Sequence, residues 1–237
     1  MPHPRAPYHH GDLRNALVTS AVRLIEEGGP GAFSLREAAR DVGVSANAAY
    51  RHFEDKAALV GAAAADGHAR LARAMRQAMD QAPAQETDAR PSIARFKAAG
   101  RAYAGFANEH PALFSLMFGK EGAACEGHDA ADPSHVTPWT LLGAALDALV
   151  ADGVLAPERR PGAELKAWVV VHGFASLTLA RLTEGTKDPE ALESLLDFTV
   201  MGLCGEIRAG REEGRPRGRN EETASPGKRV RRKPERA

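Results

Sequence analysis

The residues best suited to binding chemistry stand together in one stretch, 34–56, which reads SLREAARDVGVSANAAYRHFEDK. Asn47 carries a planar amide that can bond N6 and N7 of adenine together. Ser45, Tyr50, His52 and Lys56 each hold a proton that a phosphate oxygen can accept. Ala46 and Ala48 flank Asn47, and side chains this small let a backbone approach a base edge closely. From Ala46 to His52 no acidic residue occurs, so nothing there repels a polyanion. These are groups for holding a nucleic acid, not for turning over a substrate.

Two other groups could do chemistry. Cys125, His128, Asp129, Asp132 and His135 fall within eleven residues. Thiolate, imidazole and carboxylate together can hold zinc, but this spacing fits no defined zinc motif. Neither a metal nor a cofactor is therefore expected. The second group is aromatic: Tyr103, Phe106, Phe114, Met117, Phe118, Trp139, Trp168 and His172 hold much of the large planar and polarisable surface. Apolar helices with a few polar tips form ligand cavities, so these residues are candidates for a pocket taking a mostly apolar molecule. The alternative is plain core packing, with His172 bonded to a backbone carbonyl. No GxGxxG, Walker A, HExxH or GxSxG pattern occurs, and no catalytic residue is proposed.

Such residues must be positioned by helices. Alanine occurs 46 times, against 25 for Val, Ile and Thr together. Alanine favours helix and the β-branched residues favour strands, so the chain reads as all-α. Asp12 can cap a helix over about 13–27, and Gly28-Gly29-Pro30-Gly31 ends it. Ser34 with Glu37 reads as a capping box opening a short helix to about Val42. Ser45 caps a second short helix over about 46–52, and Asp55 a long one to about 81. Pro91, Pro111, Pro138 and Pro189 each suit a first helical position. They open helices near 91–109, 111–118, 138–152 and 189–208, with another over about 162–184. Gly153 and Gly185 suit positions just past helix ends, and 119–136 reads as a loop.

Two short capped helices around Gly43-Val44-Ser45 make a helix-turn-helix. The same pattern also suits a helical hairpin within an ordinary bundle. Leu192, Leu195, Leu196, Phe198, Val200 and Leu203 give the last helix more apolar surface than one small domain covers, which suits an isologous homodimer.

Charge and composition narrow the classes. The chain of 237 residues has 31 Lys+Arg and 31 Asp+Glu, so it is not globally basic. The excess is local: residues 208–237 carry 11 Lys or Arg and five Glu. This stretch lacks large apolar residues and reads as a disordered basic tail, either an arm for DNA phosphates or a solubilising end. Arg5, in a proline-rich start, could enter a minor groove. The uncharged run Ala167–Ala180 has 14 residues, short of the roughly 20 that span a bilayer, so no membrane partner is expected. No secretory signal is read at the start, and two cysteines make no disulfide framework. A cytoplasmic protein is expected.

Residues 11–60 resemble the DNA-binding domain of TetR-family transcriptional regulators. The resemblance rests on the amphipathic first helix, Phe33-Ser34-Leu35-Arg36-Glu37-Ala38-Ala39, Gly43-Val44-Ser45, Tyr50-Arg51-His52-Phe53 and Lys56. By position it implies that Arg36, Ala46, Asn47 and Ala48 face bases, and that Ser34, Ser45, Tyr50, His52 and Lys56 face phosphates. Ala49 departs from the Leu or Ile common there, so the second short helix should seat close to its neighbours. His110–Phe118 and Trp168–Gly173 are similar to a branch whose C-terminal domain is marked by Trp, His and Gly in one helix. The resemblance implies a three-helix DNA-binding domain over 11–60 and a larger helical ligand-binding and dimerisation domain over 61–207; composition adds a flexible arm over 1–10 and the tail over 208–237. Its last two helices would pair with their symmetry mates. The expected function is a repressor that binds a palindromic double-stranded DNA operator as a homodimer and is released by a mostly apolar small-molecule inducer. The alternative is a helical small-molecule or metal-binding enzyme with a vestigial helix-turn-helix.

Overall fold

The computed structural model describes residues 10–29, 31, 33–82, 90–119, 136–182, 184–187 and 189–205, and among these it shows nine α-helices and no strand. They are α1 (His10–Gly28), α2 (Leu35–Asp41), α3 (Ala46–Tyr50), α4 (Lys56–Gln81), α5 (Pro91–Glu109), α6 (Pro111–Met117), α7 (Pro138–Ala151), α8 (Ala163–Leu179) and α9 (Pro189–Cys204). Single 3₁₀ turns occupy Pro157–Arg159 and Glu184–Lys187. The all-α class and the N-terminal helix-turn-helix agree with the sequence. The arm before His10, the Cys125–His135 group and the basic tail lie outside the described residues.

Local chemistry explains most helix ends. The Ser34, Ser45 and Asp55 side chains accept from the backbone N–H of Glu37, Ala48 and Ala58 at 3.2, 3.2 and 2.8 Å. Each removes one orphan donor from a helix start. Pro91, Pro111, Pro138 and Pro189 open their helices as the missing N–H predicts.

Four expectations need correction. Helix α1 begins at His10, so Asp12 lies inside the first turn and is not the cap. Ser34 completes only its own half of a capping box, because the Glu37 carboxylate turns toward Arg40, 4.0 Å away. A reciprocal box forms instead at Thr137 and Thr140. Helix α8 stops at Leu179, well before 184, and Gly185 sits in a 3₁₀ turn rather than behind the helix. There Arg181 takes φ +52°, and the N–H groups of Arg181 and Leu182 bond the carbonyls of Thr178 and Leu177. That is a Schellman closure made without glycine.

Gly43 makes the same closure behind α2, at φ +76°. Its N–H reaches Arg40 O, and Val44 N–H reaches Ala39 O at 2.9 Å. This closure sets the angle at which α3 leaves α2. A side chain at Gly43 would meet no atom within 4 Å, so only the backbone conformation resists one. Gly43→Ala is accordingly expected to cost about 1 kcal/mol. Urea denaturation of the variant checks this, and an unchanged midpoint would contradict it.

The core runs without a break from α1 to α9. Leu17, Ala21 and Ile25 of α1 meet Leu59 and Ala63 of α4 in it, and Leu71, Leu113, Met117, Leu146 and Leu149 continue it. Each large aliphatic side chain withdrawn from water in this way contributes about 1.5–3 kcal/mol. Helix α4 packs on α1, α5, α6 and α7, and it passes unbroken through the expected domain boundary at residue 60. At Gly67 the α6 helix comes so near that a Cβ would lie 2.6 Å from Met117 Sδ.

Candidate nucleic-acid interface

Helices α1 to α4 position the candidate DNA contacts. Ala49 is fully buried and anchors α3 on the core, as the small side chain allows. Phe53 and Phe33 are also buried, and each carries a cation over its ring. Arg14 Cζ stands 5.1 Å from the Phe53 centroid, and Lys56 Nζ 4.9 Å from the Phe33 centroid. The Lys56 head is therefore held at the start of α4 rather than left to sweep through solvent.

Arg36, Ser45, Asn47, Tyr50 and Arg51 are exposed, whereas Ser34, Ala46, Ala48, His52 and Lys56 are half-buried. Among the expected base-facing residues, then, Arg36 and Asn47 present polar groups outward. The Ala48 methyl packs against the core instead. Ser34 and Ser45 spend an oxygen lone pair on capping, which leaves each hydroxyl proton able to donate outward. Arg14 carries no motif in the sequence, because its pairing with Phe53 spans the hairpin.

An ionic brace fixes α1 against α2. Arg23 reaches Glu27 at 2.6 Å and Asp41 at 2.5 Å, and the buried Ser20 hydroxyl donates to Asp41 at 2.6 Å. Bonding to Arg23, then to Ser20, holds the Asp41 carboxyl below the usual carboxylate range. The pair is solvent-exposed, so its value is orientation of the hairpin more than stability.

A second cluster lies between α5, α6, α7 and α8. Tyr103 is buried, and its hydroxyl bonds His172 Nδ1 at 2.9 Å. The Trp168 indole N–H donates to the same hydroxyl at 3.3 Å. Trp168 and Phe114 lie nearly parallel to the imidazole, at 23° and 27° and with centroids 4.8 and 5.6 Å away. Phe118 meets the imidazole more nearly edge-on at 4.8 Å, and the exposed Trp139 packs on Trp168 at 6.4 Å. Burial pushes the His172 imidazole toward its neutral form.

Six of the eight aromatic-group candidates are thus joined by ring contacts. Phe106 packs instead on His110, with centroids 4.8 Å apart. Met117 is fully buried against Gly67 of α4. His172 is bonded to a side chain, not to the backbone carbonyl that simple core packing suggested.

One contact had no signal in the sequence. His110, between α5 and α6, places Nδ1 2.6 Å from Glu26 of α1. It joins the aromatic region to the helix-turn-helix across 84 positions of chain, a separation that no local pattern reports.

Residues 17–63 match the model for bacterial regulatory proteins of the tetR family, and residues 96–201 match the tetracyclin repressor-like C-terminal domain. No curated protein matches the chain. Solved structures do. A protein of unknown function from Rhodococcus sp. RHA1 is 31% identical, with TM-score 0.63, over 84% of this chain and 100% of that one. NalD, the secondary repressor of the MexAB-OprM multidrug efflux pump in Pseudomonas aeruginosa, is 19% identical, with TM-score 0.54, over 84% and 98%. RolR, in complex with resorcinol, is 16% identical, with TM-score 0.53, over 82% and 88%. Among the described residues no helix is long and apolar enough to cross a membrane. With both family models matched in chain order on this fold, the chain belongs to the TetR family of transcriptional regulators.

Proposed function

We propose that the protein is a ligand-responsive repressor that binds a palindromic DNA operator as a homodimer. One observation carries this reading. A capped helix-turn-helix presents Asn47 and Arg36 outward on a surface whose second helix bears no acidic side chain. Two such helices, one from each subunit, would enter successive major grooves about 34–36 Å apart. Arg36 and Asn47 would read base edges beside Ala46, with Ala48 seating the helix, while Ser34, Ser45, Tyr50, His52 and Lys56 would hold the phosphates.

The dimer rests on α8 and α9. Helix α9 turns Leu196, Val200 and Leu203 inward. Its Glu193 pairs with Arg101 and Lys97 of α5, and its Asp197 lies 2.8 Å from Lys97 Nζ. Burial opposes the charge on Lys97, yet the two carboxylates overcome it and hold its pKa above the usual lysine range. Held this way, α9 leaves Phe198 and Met201 64% and 57% exposed. On α8, Leu165 and Val169 are 56% and 55% exposed. An apolar surface on two adjacent helices suits a second copy of the same surface.

The input would enter at the aromatic cluster. RolR, of similar fold, is in complex with resorcinol, which supports this reading. Phe114 stacks on His172 and belongs to α6, which begins beside His110 and its partner Glu26 on α1. A ligand that displaces α6 would therefore shift the helix-turn-helix, provided it binds the two arrangements unequally.

Footprinting on the DNA flanking the coding region tests the reading, with no protected palindrome as the contrary result. Asn47→Ala should weaken specific binding by about 1–3 kcal/mol and relax preference at one base pair per half-site. Lys56→Ala should weaken binding to all sequences alike. A selection from randomised half-sites distinguishes the two, and an unaltered preference in Asn47→Ala would remove Asn47 as a base reader.

A further inference from the structure

We propose that the aromatic cluster selects a neutral planar ligand that accepts a hydrogen bond from His172 Nε2. This rests on the reading of the region as the ligand site. The surroundings of the imidazole assign the contact. Trp168 and Phe114 lie nearly parallel to the ring, and Phe118 crowds it edge-on. Tyr103 occupies Nδ1. The edge carrying Nε2 is what a half-buried His172 still offers.

The hydrogen-bond chain sets which proton that edge carries. The Trp168 N–H donates to the Tyr103 oxygen, and a Tyr103 hydroxyl that donates in turn to Nδ1 completes a single hydrogen-bond chain. A neutral imidazole with Nδ1 accepting holds its own proton on Nε2. Burial favours that neutral form. Nε2 is then a donor, and the matching ligand group is a carbonyl, ether or other uncharged acceptor.

Charge is selected against by what surrounds the donor. Among the described residues, Tyr103, Phe114, Phe118, Trp139, Trp168 and His172 make ring contacts with one another and, at Phe118, with His68. The described cation–ring pairs, Arg14 on Phe53 and Lys56 on Phe33, lie in the helix-turn-helix. Among the described residues no cation lies over these rings, so a carboxylate there would lose its water without such a partner. A planar uncharged ligand would lose little and gain stacking on Trp139 and Trp168.

Both tryptophans of the chain, Trp139 and Trp168, belong to the cluster, so tryptophan emission, excited selectively over tyrosine, reports on it. The full-length protein is titrated with 2-acetylnaphthalene, naphthalene and 2-naphthoate. The ketone should bind about tenfold more tightly than either of the others. In His172→Phe the ketone should lose its advantage over naphthalene, to within about twofold, and His172→Gln, which restores an N–H donor, should recover part of it. Melting curves accompany both variants, and the glutamine variant decides if the phenylalanine variant does not fold. Naphthoate binding as tightly as the ketone, an unchanged ketone advantage in both variants, or no fluorescence response to any probe would each overturn the proposal. Footprinting on the same wild-type sample separates this failure from a failure of the repressor reading. Intact operator protection with a negative titration removes only the ligand assignment.

Discussion

Phe198→Glu is expected to convert the proposed dimer to monomers and to lower operator affinity by about a hundredfold or more. The side chain is 64% exposed on α9, so the substitution leaves the subunit core intact. In the proposed dimer it would place a carboxylate, and its symmetry mate, within an apolar contact. The large effect on DNA follows from linkage. In the proposed dimer each subunit would read one half-site, and joining two modest half-site contacts multiplies affinity by roughly 10²–10⁴. Sedimentation of wild type and variant checks the first step, and a gel shift on the palindrome checks the second. A variant that stays dimeric with full operator affinity would move the interface away from α9. Phe198→Leu, which keeps the surface apolar, should behave nearly as wild type.

Ala49→Asp should have the second largest effect, and for a different reason. Ala49 has no exposed surface and sits where α3 meets α2 and the core. A carboxylate there can neither reach water nor find a partner without lifting α3 away. The expected cost is about 3 kcal/mol or more. Specific DNA binding should fail first, because Asn47 is carried on the same short helix. The core is continuous through α4, so loss of the hairpin should also lower the melting temperature of the whole chain. Calorimetry tests this, and a variant with unchanged melting and unchanged binding would show that α3 is not seated through Ala49.

Much of the architecture was legible because it is written in local chemistry. A serine or aspartate before a helix bonds a backbone N–H only a few positions ahead, so Ser34, Ser45 and Asp55 announce α2, α3 and α4 within their own neighbourhood. Proline at a first helical position works the same way for α5, α6, α7 and α9. The turn at Gly43 needs a left-handed residue, and glycine supplies it cheaply. Where such signals compete, local chemistry is ambiguous. Arg181 closes α8 in a conformation that favours glycine, so the glycines do not mark the true end. Asp12 looked like a cap because Asp suits both the cap and the first turn.

Local sequence was enough for the helical class, the order of the helices, the starts of those after α1, and the amide of Asn47 between two alanines on an acid-free helix. Each of these depends on residues within about two helical turns of one another. Tertiary structure alone decided which aromatic residues meet. Tyr103, Phe114, Trp139 and His172 come from four different helices, and Phe106, only three positions from Tyr103, goes to His110 instead. It also decided that Glu26 meets His110, and that Glu193 and Asp197 turn toward α5 and so leave Phe198 and Met201 facing outward. The physical reason is that periodicity reports which face of a helix is apolar. Which helix covers that face depends on the packing of the whole core, a sum over contacts far apart in the chain.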